Sequence, residues 1–178
     1  TEHLRFVYIS SLIEEKGIFT LLDTVKILQT HSEIELDLVI FGSGNTAVVK
    51  KKIEDLHKTE YLGVASNDYL PSIFTNFDVL VFPTKRESLG LIGVEALACG
   101  IPVIASPVGI NSSIITTGIN GFLATSTEEW REAFNILLKN PKKREEMGLA
   151  GRRLVEEQYS IAVTSPELIE LLHNASIK

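Results

Sequence analysis

Short apolar runs of strand length alternate along this chain with stretches whose apolar residues recur at helical spacing. No other feature constrains the fold as strongly. Strands that are apolar on both faces need cover on both sides, and helices placed between successive strands supply it. The spacing predicts strands over 4–9, 36–41, 61–64, 78–83, 101–106 and 121–124, with helices over 16–29, 47–57, 90–99 and 128–138. Ile18, Leu21, Leu22, Val25 and Leu28 share one face of the first helix. A short helix over 67–76 is expected to break near Pro71, and a terminal amphipathic helix is expected over 166–172. Gly100 reads as the stop of the 90–99 helix, and Thr127 as the cap of the next. Asn140-Pro141 reads as the cap and first turn of a helix reaching 158. The expected architecture is α/β: one three-layer domain with a mostly parallel sheet.

Composition narrows the function classes. A chain of 178 residues suits a single domain with one sizeable core. Its 44% hydrophobic and 22% charged residues are those of an ordinary globular protein, and no apolar run approaches the roughly 18 residues of a membrane span. A single cysteine, Cys99, cannot close an internal disulfide, which fits a reducing compartment. Lys and Arg number 17 against 23 Asp and Glu, for a net charge of −6, which disfavours nucleic acid while leaving small anions open. His3, His31, His57 and His173 lack metal-ligand spacing and read as surface residues. Thr1 lies almost at the first strand, so the chain reads as a fragment of a longer protein.

The chemistry concentrates in Pro83-Thr84-Lys85-Arg86-Glu87-Ser88-Leu89-Gly90-Leu91-Ile92-Gly93-Val94-Glu95. A strand ends here, a loop carries Glu87, and a helix opening at a glycine carries Glu95 after seven intervening residues. In open α/β sheets ligands sit beyond the carboxyl ends of the strands. The amides of Leu89, Gly90, Leu91 and Ile92 are orphan donors at a helix start, suited to a phosphate. Carboxylates on either side of an anion cradle match a diphosphate flanked by hydroxyls, which is the chemistry of a nucleotide sugar. Glu95 sits among Ile92, Gly93, Val94, Ala96, Leu97 and Ala98, so it is expected to be buried and in need of a partner. Gly42-Ser43-Gly44-Asn45-Thr46-Ala47, with Asp68 beyond it, loosely fits a dinucleotide fingerprint. A complete strand–helix unit precedes it, however, whereas such sites use the first strand of their sheet.

The stretch from Asp78 to Ala105 resembles the signature of group 1 (family 4) retaining glycosyltransferases. It has a strand ending in Pro-Thr, two glutamates eight positions apart, and Ala96-Leu97-Ala98-Cys99-Gly100-Ile101-Pro102-Val103-Ile104-Ala105. Glu15-Lys16-Gly17, Ile40-Phe41-Gly42-Ser43-Gly44, Asn120-Gly121-Phe122-Leu123 and Met147-Gly148-Leu149-Ala150-Gly151-Arg152 resemble further family elements in the same order. The resemblance implies a Rossmann-like domain, the C-terminal donor-binding half of a two-domain GT-B enzyme whose N-terminal acceptor domain is absent from residues 1–178. It further implies that Glu95 binds the ribose hydroxyls, Glu87 faces the transferred sugar and Lys16 pairs with the phosphate. Leu89, Gly90, Leu91 and Ile92 would hold diphosphate and sugar through their backbone, and Gly42 and Gly44 would let the chain pass close to the nucleotide. Such enzymes need no metal or other cofactor. They transfer a hexose from a nucleoside-diphosphate sugar to a glycan or lipid-linked acceptor in cell-surface polysaccharide, lipopolysaccharide or glycolipid synthesis. They work in the cytoplasm, with peripheral contact at the inner face of the membrane as an option. The isolated fragment is expected to transfer nothing.

This chain departs from the pattern in three places, the mildest being Leu89 where Phe is common. Ser10-Ser11-Leu12 stands where the family has Gly-Arg-Leu, which removes a cation beside Lys16; Lys85 and Arg86 read as solvated loop charges. Val108-Gly109-Ile110-Asn111-Ser112-Ser113 lacks a glycine and an acid of the family's Gly-Gly-x-x-Glu loop. The competing readings are a sugar-nucleotide epimerase of the same fold, a non-catalytic nucleotide-binding domain and, as a lesser one, a dinucleotide-dependent enzyme.

Overall fold

The computed structural model describes residues 4–31 and 36–176. Six strands form one sheet in the order β3-β2-β1-β4-β5-β6. They are β1 (Leu4–Ile9), β2 (Leu36–Phe41), β3 (Thr59–Tyr61), β4 (Val79–Phe82), β5 (Val103–Ala105) and β6 (Gly121–Leu123). Every pairing is parallel, from Leu4 opposite Leu36 at one end to Ala105 opposite Leu123 at the other. The expected α/β, three-layer, Rossmann-like architecture is the one observed. The chain first winds outward through β2 and β3, then returns to the other side of β1 through β4, β5 and β6. The winding direction reverses between β1 and β4, and a crevice opens at such a switch point.

Alternation along the strands builds two cores. Leu4, Phe6 and Tyr8 face one helical layer, in which Ile18, Leu21, Leu22, Val25 and Leu28 of α1 (Ile18–His31) are all buried, as their spacing predicts. Trp130 and Phe134 of α6 (Thr127–Lys139) complete that side, with the Phe134 ring 4.7 Å from that of Phe6. Val7, Leu80, Phe82 and Val103 face the other layer, against Phe74 of α3 (Leu70–Phe74), Leu97 of α4 (Leu91–Ala98) and Val155 of α7 (Pro141–Gln158). The remaining helices are α2 (Thr46–Ile53), α5 (Asn111–Ile114) and α8 (Ile161–Ser176).

Several boundaries differ from expectation. The third strand is Thr59–Tyr61, not 61–64: it lies at the sheet edge, so Leu62 and Val64 are exposed and apolar alternation does not mark the pairing. Pro71 does not break a helix. It sits in the first turn of α3, where its missing N–H costs nothing, after a 3-10 turn over Asn67–Tyr69. Ser126, not Thr127, caps α6 through a capping box with Glu129, whose carboxyl is held down to about 2 by hydrogen bonds from the Thr125 hydroxyl and the amides of Thr125 and Ser126. Asn140 precedes α7 without capping it; its amide donates instead to the Ile136 carbonyl, 2.7 Å away. The terminal helix is longer than 166–172, keeps Pro166 inside it, and exposes Ile161, Leu168, Ile169, Leu171 and Leu172. The single-turn helix α5 carries no periodicity and is not anticipated by the sequence pattern.

Candidate functional site

The loops leaving β1 and β4, residues 10–17 and 83–90, meet at the switch point. Gly17 makes their contact possible. It has φ 71°, and a Cβ there would lie 1.8 Å from the Pro83 carbonyl oxygen, so only glycine fits. The Lys85 amide donates to the Glu15 carbonyl at 2.7 Å, and the fully buried Thr84 hydroxyl donates to the carbonyls of Arg86 (2.7 Å) and Glu15 (3.3 Å). From below, the buried Tyr8 hydroxyl donates to the carbonyls of Ser11 (2.8 Å) and Lys16 (3.2 Å). These bonds fix the loop ends and aim the side chains of Lys16 and Glu87 at each other.

Lys16 Nζ lies 2.9 Å from Glu87 Oε2 and 3.2 Å from the Arg86 carbonyl. The Ser88 amide donates to Glu87 Oε1 at 3.0 Å. The Glu87 side chain is only 14% exposed. Burial alone would push its carboxyl up; the Lys16 ammonium and the Gly90 and Ser88 amides outweigh burial and hold it below the ordinary glutamate range. Glu87 is thus an ionised, firmly held carboxylate.

The helix α4 starts beside it. Gly90, its N-terminal flanking residue, is left-handed (φ 52°) and buried beneath Ile110 and Asn111. Ser88, Leu89 and Leu91 stand exposed around the tip. The amides of Leu91 and Ile92 meet no backbone acceptor among the described residues. The helix start is therefore open, with donors unspent and the positive end of the helix dipole facing the crevice.

Glu95 differs from expectation. It is exposed rather than buried, because on a helix its sequence neighbours turn elsewhere: Gly93, Ala96 and Leu97 pack inward while Glu95 faces out. It stands on the rim of a cleft of about 200 Å³ between α3 and α4, lined also by Asn67, Leu70 and Phe74. Partial desolvation there pushes its carboxyl up. Lys16, Glu87 and Gly90 are brought together, and Glu95 lies farther along the same helix.

Gly42 and Gly44 lie on the β1 side of the crevice. A Cβ on Gly42 would meet the Ser10 carbonyl oxygen at 1.9 Å, so its close approach is to the neighbouring loop. Gly44 bridges to Leu12 and is exposed. Ser11 is exposed where the related pattern has arginine. Lys85 is paired with Glu14. His57 and His173 are exposed, while His3 and the side chain of His31 lie outside the described residues. Among the described residues no three His, Cys, Asp or Glu side chains gather to hold a metal ion.

Sequence reasoning passes over Asn111. It is fully buried at the start of α5, donates Nδ2 to the Ser106 carbonyl at 3.1 Å, and leaves Oδ1 without a partner beneath Gly90. The loop after β5 thus supports the tip of α4 through an amide where the related pattern has other residues. Thr84 and Tyr8 are also support residues; only the Pro-Thr strand ending hinted at the former.

The comparisons agree with this geometry. A sequence model of the family described as "Glycosyl transferases group 1" matches residues 1–154. The capsular polysaccharide biosynthesis glycosyltransferase CapM of Staphylococcus aureus is 27% identical over 182 aligned residues, covering 96% of this chain and 46% of that protein. The C-terminal domain of a group 1 glycosyl transferase from Francisella tularensis superposes with a TM-score of 0.78 at 21% identity, covering 89% of this chain and 87% of that one. HepE of Anabaena, solved with UDP-glucose, gives a TM-score of 0.84 at 21% identity over 97% of this chain and 49% of that one. The chain spans under half the length of the curated relatives it matches. Sheet order, the paired switch-point loops and the family match lead to one conclusion: this chain belongs to the group 1 glycosyl transferases.

Proposed function

We propose that residues 1–178 form the donor-binding half of a retaining glycosyltransferase and hold a nucleoside-diphosphate sugar in the crevice between β1 and β4. The observation that carries this reading is the convergence of Lys16, Glu87 and the open start of α4 at the carboxyl edge of a parallel sheet. The diphosphate lies at the amides of Leu89, Gly90, Leu91 and Ile92 beside Lys16. Glu87 accepts hydrogen bonds from hydroxyls of the sugar. Glu95, a turn further along α4, reaches the ribose; Gly42 and Gly44 flank the nucleotide from the β1 side.

Chemically, the arrangement acts by electrostatics. Breaking the bond between the anomeric carbon and the diphosphate leaves charge on the departing phosphate oxygen. Fixed amides, the α4 dipole and the Lys16 ammonium stabilise that charge without reorganisation. In this reading the step proceeds without a metal ion. The acceptor, a glycan or lipid-linked sugar, and the surroundings that set retention belong to a separate N-terminal domain. Two observations support such a domain: the chain spans under half the length of its relatives, and the described residues of α8 expose six large apolar side chains. No described helix is long and apolar enough to cross a membrane. From the family resemblance we favour cytoplasmic work with peripheral membrane contact as the setting.

Titration of the chain with UDP-, GDP- and ADP-sugars tests the reading. One nucleotide sugar is expected to bind weakly, and Glu95→Ala to weaken it about tenfold without unfolding. A chain that binds none of them refutes the donor site, and sugar transfer by the chain alone refutes the division of labour.

A further inference from the structure

The electrostatics of the switch-point corner do not suit an anion as the corner stands. Among the described residues Lys16 is the cation in contact with Glu87; Ser11 supplies none, Lys85 is paired with Glu14, and Arg86 beside Glu87 is exposed. The Lys16 ammonium is already neutralised by Glu87 at 2.9 Å, and Glu87 Oε1 takes the Ser88 amide at 3.0 Å. The Glu87 side-chain stem also packs against Gly90, where a Cβ would lie 3.3 Å from its Cγ. A carboxylate of this chain therefore sits on the ammonium that a diphosphate would use, and on the Ser88 amide that borders the cradle. The local sum of the two charges is zero.

We infer that Glu87 is an internal counter-anion that a ligand must displace, and that displacement is favourable only when the ligand carries sugar hydroxyls to receive the freed carboxylate. The inference rests on the donor-site reading and adds selectivity to it. Glu87 is only 14% exposed, so water alone solvates it poorly once Lys16 turns to phosphate. A nucleotide sugar brings donors that replace those lost. A bare diphosphate does not, and leaves a half-buried carboxylate beside its own negative charge. The same balance favours release of the spent nucleotide: once the sugar has gone, Glu87 returns to Lys16 and to the Ser88 amide. The site thereby holds substrate in preference to product.

The test measures binding of inorganic pyrophosphate and of UDP-, GDP- and ADP-sugars, with the matching nucleoside diphosphates, to the native chain, Glu87→Gln and Glu87→Ala. Circular dichroism selects the variants that fold, and two different replacements keep the test open if one does not. Removing the charge is expected to tighten pyrophosphate and nucleoside diphosphate on the order of fivefold while weakening the nucleotide sugar, so that the preference for sugar-bearing ligand collapses. Lys16→Met added to Glu87→Gln should abolish the gain. If the native chain binds nucleotide sugars but charge removal leaves pyrophosphate unchanged or weaker, the counter-anion role is overturned and the donor site stands. If neither native chain nor variants bind any of these ligands, both fall together.

Discussion

Glu87 and Glu95 sit eight positions apart on one segment, yet the fold treats them oppositely. Glu87 lies where two loops converge, is held by Lys16 and the Ser88 amide, and has its carboxyl kept below the ordinary range. Glu95 lies on the outer face of α4, exposed, with its carboxyl pushed up by partial desolvation beside the α3–α4 cleft. Equal residue type and a shared motif do not make equal sites. What separates them is the number of donors each carboxylate meets, and that number is set by chain segments distant in sequence. The first is held by donors that a ligand has to take over; the second is available to whatever ligand approaches.

The comparison breaks most readily at its scaffold. Gly17→Val would drive a side chain into the Pro83 carbonyl and strain a left-handed residue; a loss of about 3 kcal/mol or more is expected in urea denaturation. A near-native midpoint would mean the two loops are not locked together. Lys16→Met should cost less, about 1–3 kcal/mol, by leaving the Glu87 carboxylate half-buried without its cation. Glu95→Gln touches no partner that holds the fold, so its stability should stay within about 0.5 kcal/mol of native while nucleotide-sugar affinity falls. A large stability loss there would contradict the exposed placement.

The subtlest test is titration of the two carboxyls by NMR. Glu87 should titrate below a free glutamate and Glu95 above it, and the order should reverse or vanish in Lys16→Met. The stability consequences have opposite signs. The folded state binds the Glu87 proton less readily than the unfolded chain, so Glu87 stabilises above the ordinary glutamate range and that contribution disappears as pH falls through its lowered folded value. Glu95 is easier to protonate when folded, so its contribution favours folding at low pH and is lost as pH rises through its raised value. Matching titrations of the two would erase the distinction.

Much of this was legible in the residues. The face of α1 formed by Ile18, Leu21, Leu22, Val25 and Leu28, and the fully buried strand Val79–Phe82, follow from periodicity because burial on one side or both leaves a pattern in sequence. The edge strand Thr59–Tyr61 and the one-turn helix Asn111–Ile114 left no such pattern: the first is half-exposed, and the second is shorter than a period can register. Within the site, Glu87, Lys16 and the glycine opening of α4 were identifiable from residue type and spacing. The exposure of Glu95 is not legible there, because its apolar neighbours in sequence turn to other faces of α4.

By itself, then, the order of residues determined the alternation of strands and helices, the parallel sheet, and which side chains were chemically able to handle a diphosphate and its hydroxyls. Local propensity and periodic burial are short-range properties, and a linear string carries them. Only the tertiary structure decided that Lys16 and Glu87, 71 positions apart, form one ion pair, that Asn111 lies buried beneath Gly90, and that Glu95 faces outward. Those facts depend on the reversal of winding between β1 and β4, which brings two distant loops to one edge and sets which carboxylate is surrounded by donors and which is left in the open.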